Sequence, residues 1–104
     1  MGMNERLKEI AKQINFKELA FAKFKFIYDN EKLNIGVIKG NKHFIITLNS
    51  MDTYDIRRVR IRKFEIVEDK TIERVYCDQL CEMIQEFFKF EYINMVGFGW
   101  DGKG

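Results

Sequence analysis

Hydrophobic residues recur along this chain with two distinct periods. In Asn4–Ile14 they fall at Leu7, Ile10, Ala11 and Ile14, one stripe of a helix, with Asn4 placed to cap its first turn. Asn15-Phe16-Lys17-Glu18 repeats capping-box spacing with Asn in the cap position, which predicts a kink or a second short helical turn. From Ala20 the period drops to two. Ala20–Tyr28 sets Phe24, Phe26 and Tyr28 against Lys23, Lys25 and Ile27; Leu33–Lys39 aligns Leu33, Ile35 and Val37; Lys42–Asn49 aligns Phe44, Ile46 and Leu48. Asp29–Lys32 reads as a four-residue turn and Gly40-Asn41 as a two-residue hairpin loop. A polar loop, Asn49–Thr53, leads into the strand Asp55–Lys63, and Phe64–Val75 continues as another strand, bulged or broken near Asp69-Lys70. Tyr76–Phe88 returns to the helical period. Cys77, Leu80, Cys81, Ile84, Phe87 and Phe88 form its apolar stripe, and Asp78, Gln79, Glu82, Gln85 and Glu86 cover the other side. The expected fold is α+β: an antiparallel meander of four to five strands, with an N-terminal and a C-terminal helix packed on one face.

Composition narrows this without naming a function. At 104 residues the chain is expected to be one domain, 1–104, with about 91–104 as a terminal strand or a flexible tail. Its 46% hydrophobic content is too high for a disordered chain, and no apolar run approaches the roughly 18 residues that span a bilayer. The start "MGMNERLKEI" has no apolar leader core, so a cytoplasmic location and no membrane partner are expected. Cys77 and Cys81 share a helix face and lack a second Cys/His pair, which predicts reduced, buried side chains rather than zinc ligands.

The net charge of +2 conceals an asymmetry: residues 17–63 carry +6 and residues 64–104 carry −5. Much of the positive charge sits in "DIRRVRIRK", Asp55 to Lys63. Val59 and Ile61 are its apolar pair and are expected to meet the core. Arg58, Arg60 and Arg62 then face away, with Lys23 and Lys25 joining the same surface. Guanidinium groups in a row suit phosphates or carboxylates, since each planar fork binds two oxygens. The other reading is a solvated face neutralised by Glu65, Glu68 or Glu73. A second candidate surface is the acidic helix around Asp78, Glu82 and Glu86, which could mimic nucleic acid toward a basic channel.

No catalytic constellation emerges, and no cofactor or metal is expected. His43 is the only histidine, and the Asn49–Asp55 oxygens lack calcium-loop spacing and suit turn-shaping hydrogen bonds. "GFGWDG", Gly97 to Gly102, matches the dinucleotide fingerprint in letters only, because no helix can follow it. Val96, Phe98 and Trp100 predict a terminal strand that docks on a sheet edge, its own or, in a homodimer, a second copy's.

"ITLNSMDTYDIRRVRI", followed by "VYCDQLCEMI", resembles small phage and mobile-element accessory proteins of uncharacterised activity. These pair an LNSxDxYD segment with an acidic amphipathic helix. The likeness covers about residues 43–88 and rests on Leu48, Asn49, Ser50, Asp52, Tyr54, Asp55, Tyr76, Asp78 and Leu80. It carries over no site residues. It implies a setting in the host cell cytoplasm and a common task there, the inhibition of a host defence factor, as anti-CRISPR proteins do. The functional expectation is a non-enzymatic binding protein whose charged surface occupies a host protein or protein–nucleic-acid complex. The alternative is direct binding of nucleic acid or a nucleotide messenger by the basic sheet face.

Overall fold

A computed structural model of the chain describes residues 2–92. Helix α1 (Glu5–Gln13) begins as its sequence requires: the Asn4 side chain accepts from the Leu7 amide at 2.9 Å. Asn4 is itself tied down, its own amide donating to the Asn30 side chain at 2.9 Å. Asn15, in the left-handed region, breaks the helix, and α2 (Phe16–Phe21) follows. This second helix takes Ala20 and Phe21 from the predicted first strand, so β1 spans only Lys25–Asp29. Strands β2 (Asn34–Lys39), β3 (Lys42–Leu48), β4 (Tyr54–Arg62) and β5 (Glu65–Val75) complete one antiparallel sheet in the order β1-β2-β3-β4-β5. A 3₁₀ turn (Cys77–Gln79) runs into α3 (Leu80–Phe88). The α+β meander with a helix toward each end is the expected fold.

The turns follow local chemistry. Gly40, at φ +61°, occupies the first central position of the β2–β3 loop, where glycine meets no steric cost. Asp29 shapes the β1–β2 turn by accepting from the Glu31 and Lys32 amides. Asn49 organises the β3–β4 loop: its carbonyl oxygen accepts from the Met51 and Thr53 amides, and its amide donates to Thr53 and Asp55. These oxygens do serve as turn-shaping acceptors. Both irregularities of β5 are extra residues on that edge strand, near Val67 and near Arg74 rather than at Asp69-Lys70. Bulges there blunt a long exposed edge.

All three helices contribute to one core on one face of the sheet. Leu7, Ile10, Ile14, Leu19, Leu80, Ile84 and Phe87 meet Ile35, Val37, Phe44, Ile46 and Ile56 in a continuous buried cluster. Burial of a large apolar side chain contributes about 1.5–3 kcal/mol, so this layer holds most of the stability. Beneath α3 the Tyr92 hydroxyl donates to the Ile14 carbonyl at 2.9 Å and the Cys81 thiol to the Gln13 carbonyl at 3.2 Å. Burial raises the ionisation of both groups above their ordinary values. Cys77 does not join them: it lies in the 3₁₀ turn and is exposed, against the expectation of two buried cysteines. Among the described residues no helix is long and apolar enough to cross a membrane. The predicted terminal strand and "GFGWDG" lie outside the described residues.

Candidate functional site

Strand β4 changes character halfway along. Strand pairing fixes its faces: Ile46 opposes Ile56, Phe44 opposes Arg58, and Lys42 opposes Arg60. Tyr54, Ile56, Arg58, Arg60 and Arg62 therefore lie on the helix side, while Asp55, Arg57, Val59 and Ile61 lie on the other. Tyr54 and Ile56 are buried in the core. Beyond Ile56 the helix side turns basic and the opposite side turns apolar. The expected orientation of the arginine row is thus reversed. Val59 and Ile61 face away from the core, and the even-numbered arginines face toward the helices.

The cause is the extent of the helical layer. Helix α3 ends at Phe88, and the Arg58 guanidinium stacks over the Phe87 ring at 5.3 Å, closing the rim of the core. Arg58 is only 16% exposed, and its buried Nε has no hydrogen-bond partner. Glu68 accepts from Arg58 at 3.4 Å and also pairs with Arg60 at 3.1 Å. Lys42 donates to the Phe87 carbonyl at 2.9 Å, satisfying an end carbonyl of α3. Arg62 is exposed, and among the described residues it has no acid within ion-pair distance, although Glu65 is its strand partner. Of the three predicted neutralising acids, Glu68 alone pairs with the row. Lys42, Arg60 and Arg62, with Asn41, Ile61 and Val67, line a cleft of about 340 Å³.

Lys23 and Lys25 do not join this surface. Lys25 lies on the opposite sheet face, in register with Ile38, and Lys23 sits in the left-handed region just before β1. The acidic candidates are placed as expected: Asp78 in the 3₁₀ turn and Glu82 and Glu86 on α3, all exposed. Glu82 and Glu86 border a shallow depression with Gln85, Lys89, Phe90 and Glu91.

The helix-free face of the sheet is more apolar than a solvated face requires. Register places Lys25, Ile38, His43, Val59 and Asp69 in one row across the five strands, and Ile27, Gly36, Ile45, Arg57 and Thr71 in the next. Ile61 and Ile66 pair beyond them. Val59 is buried by its sheet neighbours yet belongs to no part of the helix-side core, and Ile38, Ile45 and Ile61 pack against none of it. Ile27 and Ile66 are more than half exposed. Gly36 leaves room for this: a Cβ there would come within 2.8 Å of the Ile27 side chain, which lies across the strand. Besides Lys25, His43 and Thr71 the face carries a two-pronged pair, Arg57 Nε and a terminal nitrogen donating to the two Asp69 oxygens at 2.9 and 2.7 Å. That pairing holds the Asp69 carboxyl below its usual range.

Sequence reasoning missed three components. Ile27 and Ile45 stood at the off-core parity of their strands, so their outward placement was available from alternation; their alignment into a patch required the register. Lys42 needed the β3–β4 pairing to bring it beside Arg60. Phe64 was hidden because Lys63-Phe64 is no conventional turn pair, yet both residues adopt positive φ, 51° and 68°, and close the β4–β5 hairpin as a type I′ turn. Phe64 stands fully exposed at its tip. Among the described residues no three His, Cys, Asp or Glu side chains gather as a metal site. Comparison with known proteins yields no match: no family model, curated protein or solved structure is significantly similar to this chain.

Proposed function

We propose that this protein acts by binding a macromolecular partner, not by catalysis, and that the helix-free sheet face is its docking surface. The observation that carries this is the set of aliphatic side chains, Ile27, Ile38, Ile45, Val59, Ile61 and Ile66, spread over three adjacent rows of a face that no described helix covers. Isolated exposed hydrophobics are ordinary, but gathering several aliphatic side chains on one face among charged groups is how protein interfaces are built. Lys25, Arg57 and Asp69 supply those charges. In the setting implied by the LNSxDxYD resemblance, the partner is a host defence protein or protein–nucleic-acid complex in the host cytoplasm. The mode of action is occupation of its surface, in the manner of an anti-CRISPR inhibitor. The acidic row Asp78, Glu82 and Glu86 gives such a complex a second contact.

The test is capture of a partner from nuclease-treated host lysate by the wild-type chain and by Ile27→Asp/Ile66→Asp, the variant first checked for wild-type unfolding. Loss of the partner in the double variant is expected. A partner retained at wild-type level contradicts docking at this face. A second reading, direct binding of nucleic acid or a nucleotide messenger, is favoured by one specific observation: the cleft lined by Lys42, Arg60 and Arg62.

A further inference from the structure

We infer that the cleft between the β2–β3 loop and the β4–β5 hairpin is a nucleoside-phosphate site, in which cationic side chains hold the phosphate and Phe64 supports the base. It extends the nucleic-acid alternative and is independent of the open sheet face.

Charge imbalance is the first support. Lys42, Arg58, Arg60 and Arg62 come together on one side of the sheet around Glu68, the acid that pairs with Arg58 and Arg60. Lys70, the strand partner of Arg58, adds another cation. Like charges crowded beside a partly buried guanidinium raise the local potential, and an entering oxyanion lowers it. Arg58 does not line the cleft, but its Nε is buried without an acceptor and its link to Glu68 is long at 3.4 Å, so Glu68 leaves the cations around it incompletely neutralised.

Geometry is the second support. The cleft has a real volume, about 340 Å³, large enough for a phosphate and part of its sugar. Ile61 and Val67, the latter at the β5 bulge, give it an apolar lining. Arg60 is already oriented by Glu68, and Lys42 by the α3 carbonyl, so their side chains lose little freedom on binding. Among the described residues Arg62 has no acid within ion-pair distance, which leaves its donors for the ligand.

The third support is Phe64, two residues along from Arg62. Turns of this type favour Asn-Gly, whereas an aromatic residue at positive φ is strained. Strain of that kind persists where the side chain has a use. The turn presents one fully exposed ring two residues along the chain from Arg62, and phosphates on cations with bases on an aromatic face is the combination by which proteins bind single strands.

The experiment titrates the full chain with inorganic phosphate, a nucleoside monophosphate and a short single-stranded oligonucleotide. It is repeated with Arg62→Gln, Arg60→Gln/Arg62→Gln and Phe64→Ala, each checked for wild-type unfolding. Binding of the mononucleotide or the strand is expected, with affinity for the strand falling as salt rises, by about 0.7 log units per log unit for each phosphate held. Arg60→Gln/Arg62→Gln should weaken it tenfold or more. Phe64→Ala should weaken strand or nucleotide binding roughly tenfold while leaving inorganic phosphate unchanged. A preference for the strand over the mononucleotide identifies nucleic acid as the source of the phosphate; the reverse identifies a free nucleotide. Arg62→Gln leaves the Arg60–Glu68 pair intact, so a loss in that variant cannot be attributed to unfolding. The site is overturned if none of the three ligands binds, or if the strand binds the arginine variants as tightly as wild type. The latter result would place nucleic acid elsewhere on the protein.

Discussion

Phe44 and Ile45 are neighbours on β3, yet they belong to different parts of this molecule. Phe44 points into the helical layer, where it meets Phe87 and Phe88 and is wholly buried. Ile45 points to the helix-free side, between Gly36 and Arg57, and remains partly exposed. Both faces are apolar near the sheet centre, but among the described residues only one is covered. The contrast teaches that hydrophobic alternation shows that a strand has two sides without showing which side is roofed. Strand β4 makes this explicit, since its helix-side positions run from Tyr54 and Ile56 to three arginines as it passes the end of α3. Stability is concentrated on the roofed side, and the open side is the surface proposed for recognition.

The sharpest way to break this comparison is to truncate the two neighbours. Phe44→Ala should cost about 3–5 kcal/mol, the range for removing a buried aromatic ring and leaving a cavity. Ile45→Ala should cost about 1 kcal/mol, because its side chain is not enclosed. Chemical denaturation of both variants measures the difference. Equal losses would mean that the outer face is packed as tightly as the inner one.

A smaller effect separates the faces by pH. On the covered side, burial raises the ionisation of Cys81 and Tyr92, so the folded state favours their protonated forms. That contribution is complete below the ordinary thiol value of about 8.5 and is lost as pH climbs above it, with the tyrosine following above about 10. On the open side, the hydrogen bonds from Arg57 depress Asp69, so its contribution is present above the ordinary carboxylate value of about 3.9 and is lost as pH falls below it. Because the Arg57–Asp69 pair is exposed, the acid-side change should be the smaller of the two. Unfolding midpoints measured across pH should show an alkaline decline that Cys81→Ala flattens, and only a slight acid-side difference between wild type and Asp69→Asn. A large Asp69 effect would mark the open face as a structural centre.

Much of the fold was legible because several local signals agreed. The Asn4 cap, the Gly40-Asn41 loop and the alternation at Ile35, Val37, Phe44 and Ile46 each stated an element and its inward side. The orientation of β4 was not legible from "RRVRIR", where Val59 and Ile61 alone suggest a core parity opposite to the real one. Tyr54 and Ile56, just upstream, carried the correct parity, and a window that included them would have exposed the inversion. Cys77 failed for a related reason: the helix stripe assumed uniform α geometry, and the first turn is 3₁₀, which rotates Cys77 outward. The candidate site depended on contacts across strands. Lys42 beside Arg60, and Ile27 beside Ile45 over Gly36, are products of register, which residue spacing alone does not encode.

The most direct test of an open, recognition-ready face is the solvent exposure of the isoleucine methyls in the free, full-length chain. Methyl NMR with a soluble paramagnetic agent reads both sides of the sheet in one sample. The signals of Ile27, Ile38, Ile45, Ile61 and Ile66 should broaden strongly, while those of Ile35, Ile46 and Ile56 stay sharp. Sharp signals from Ile27, Ile45 and Ile66 as well would show that the face is already covered and would contradict its role as a docking surface.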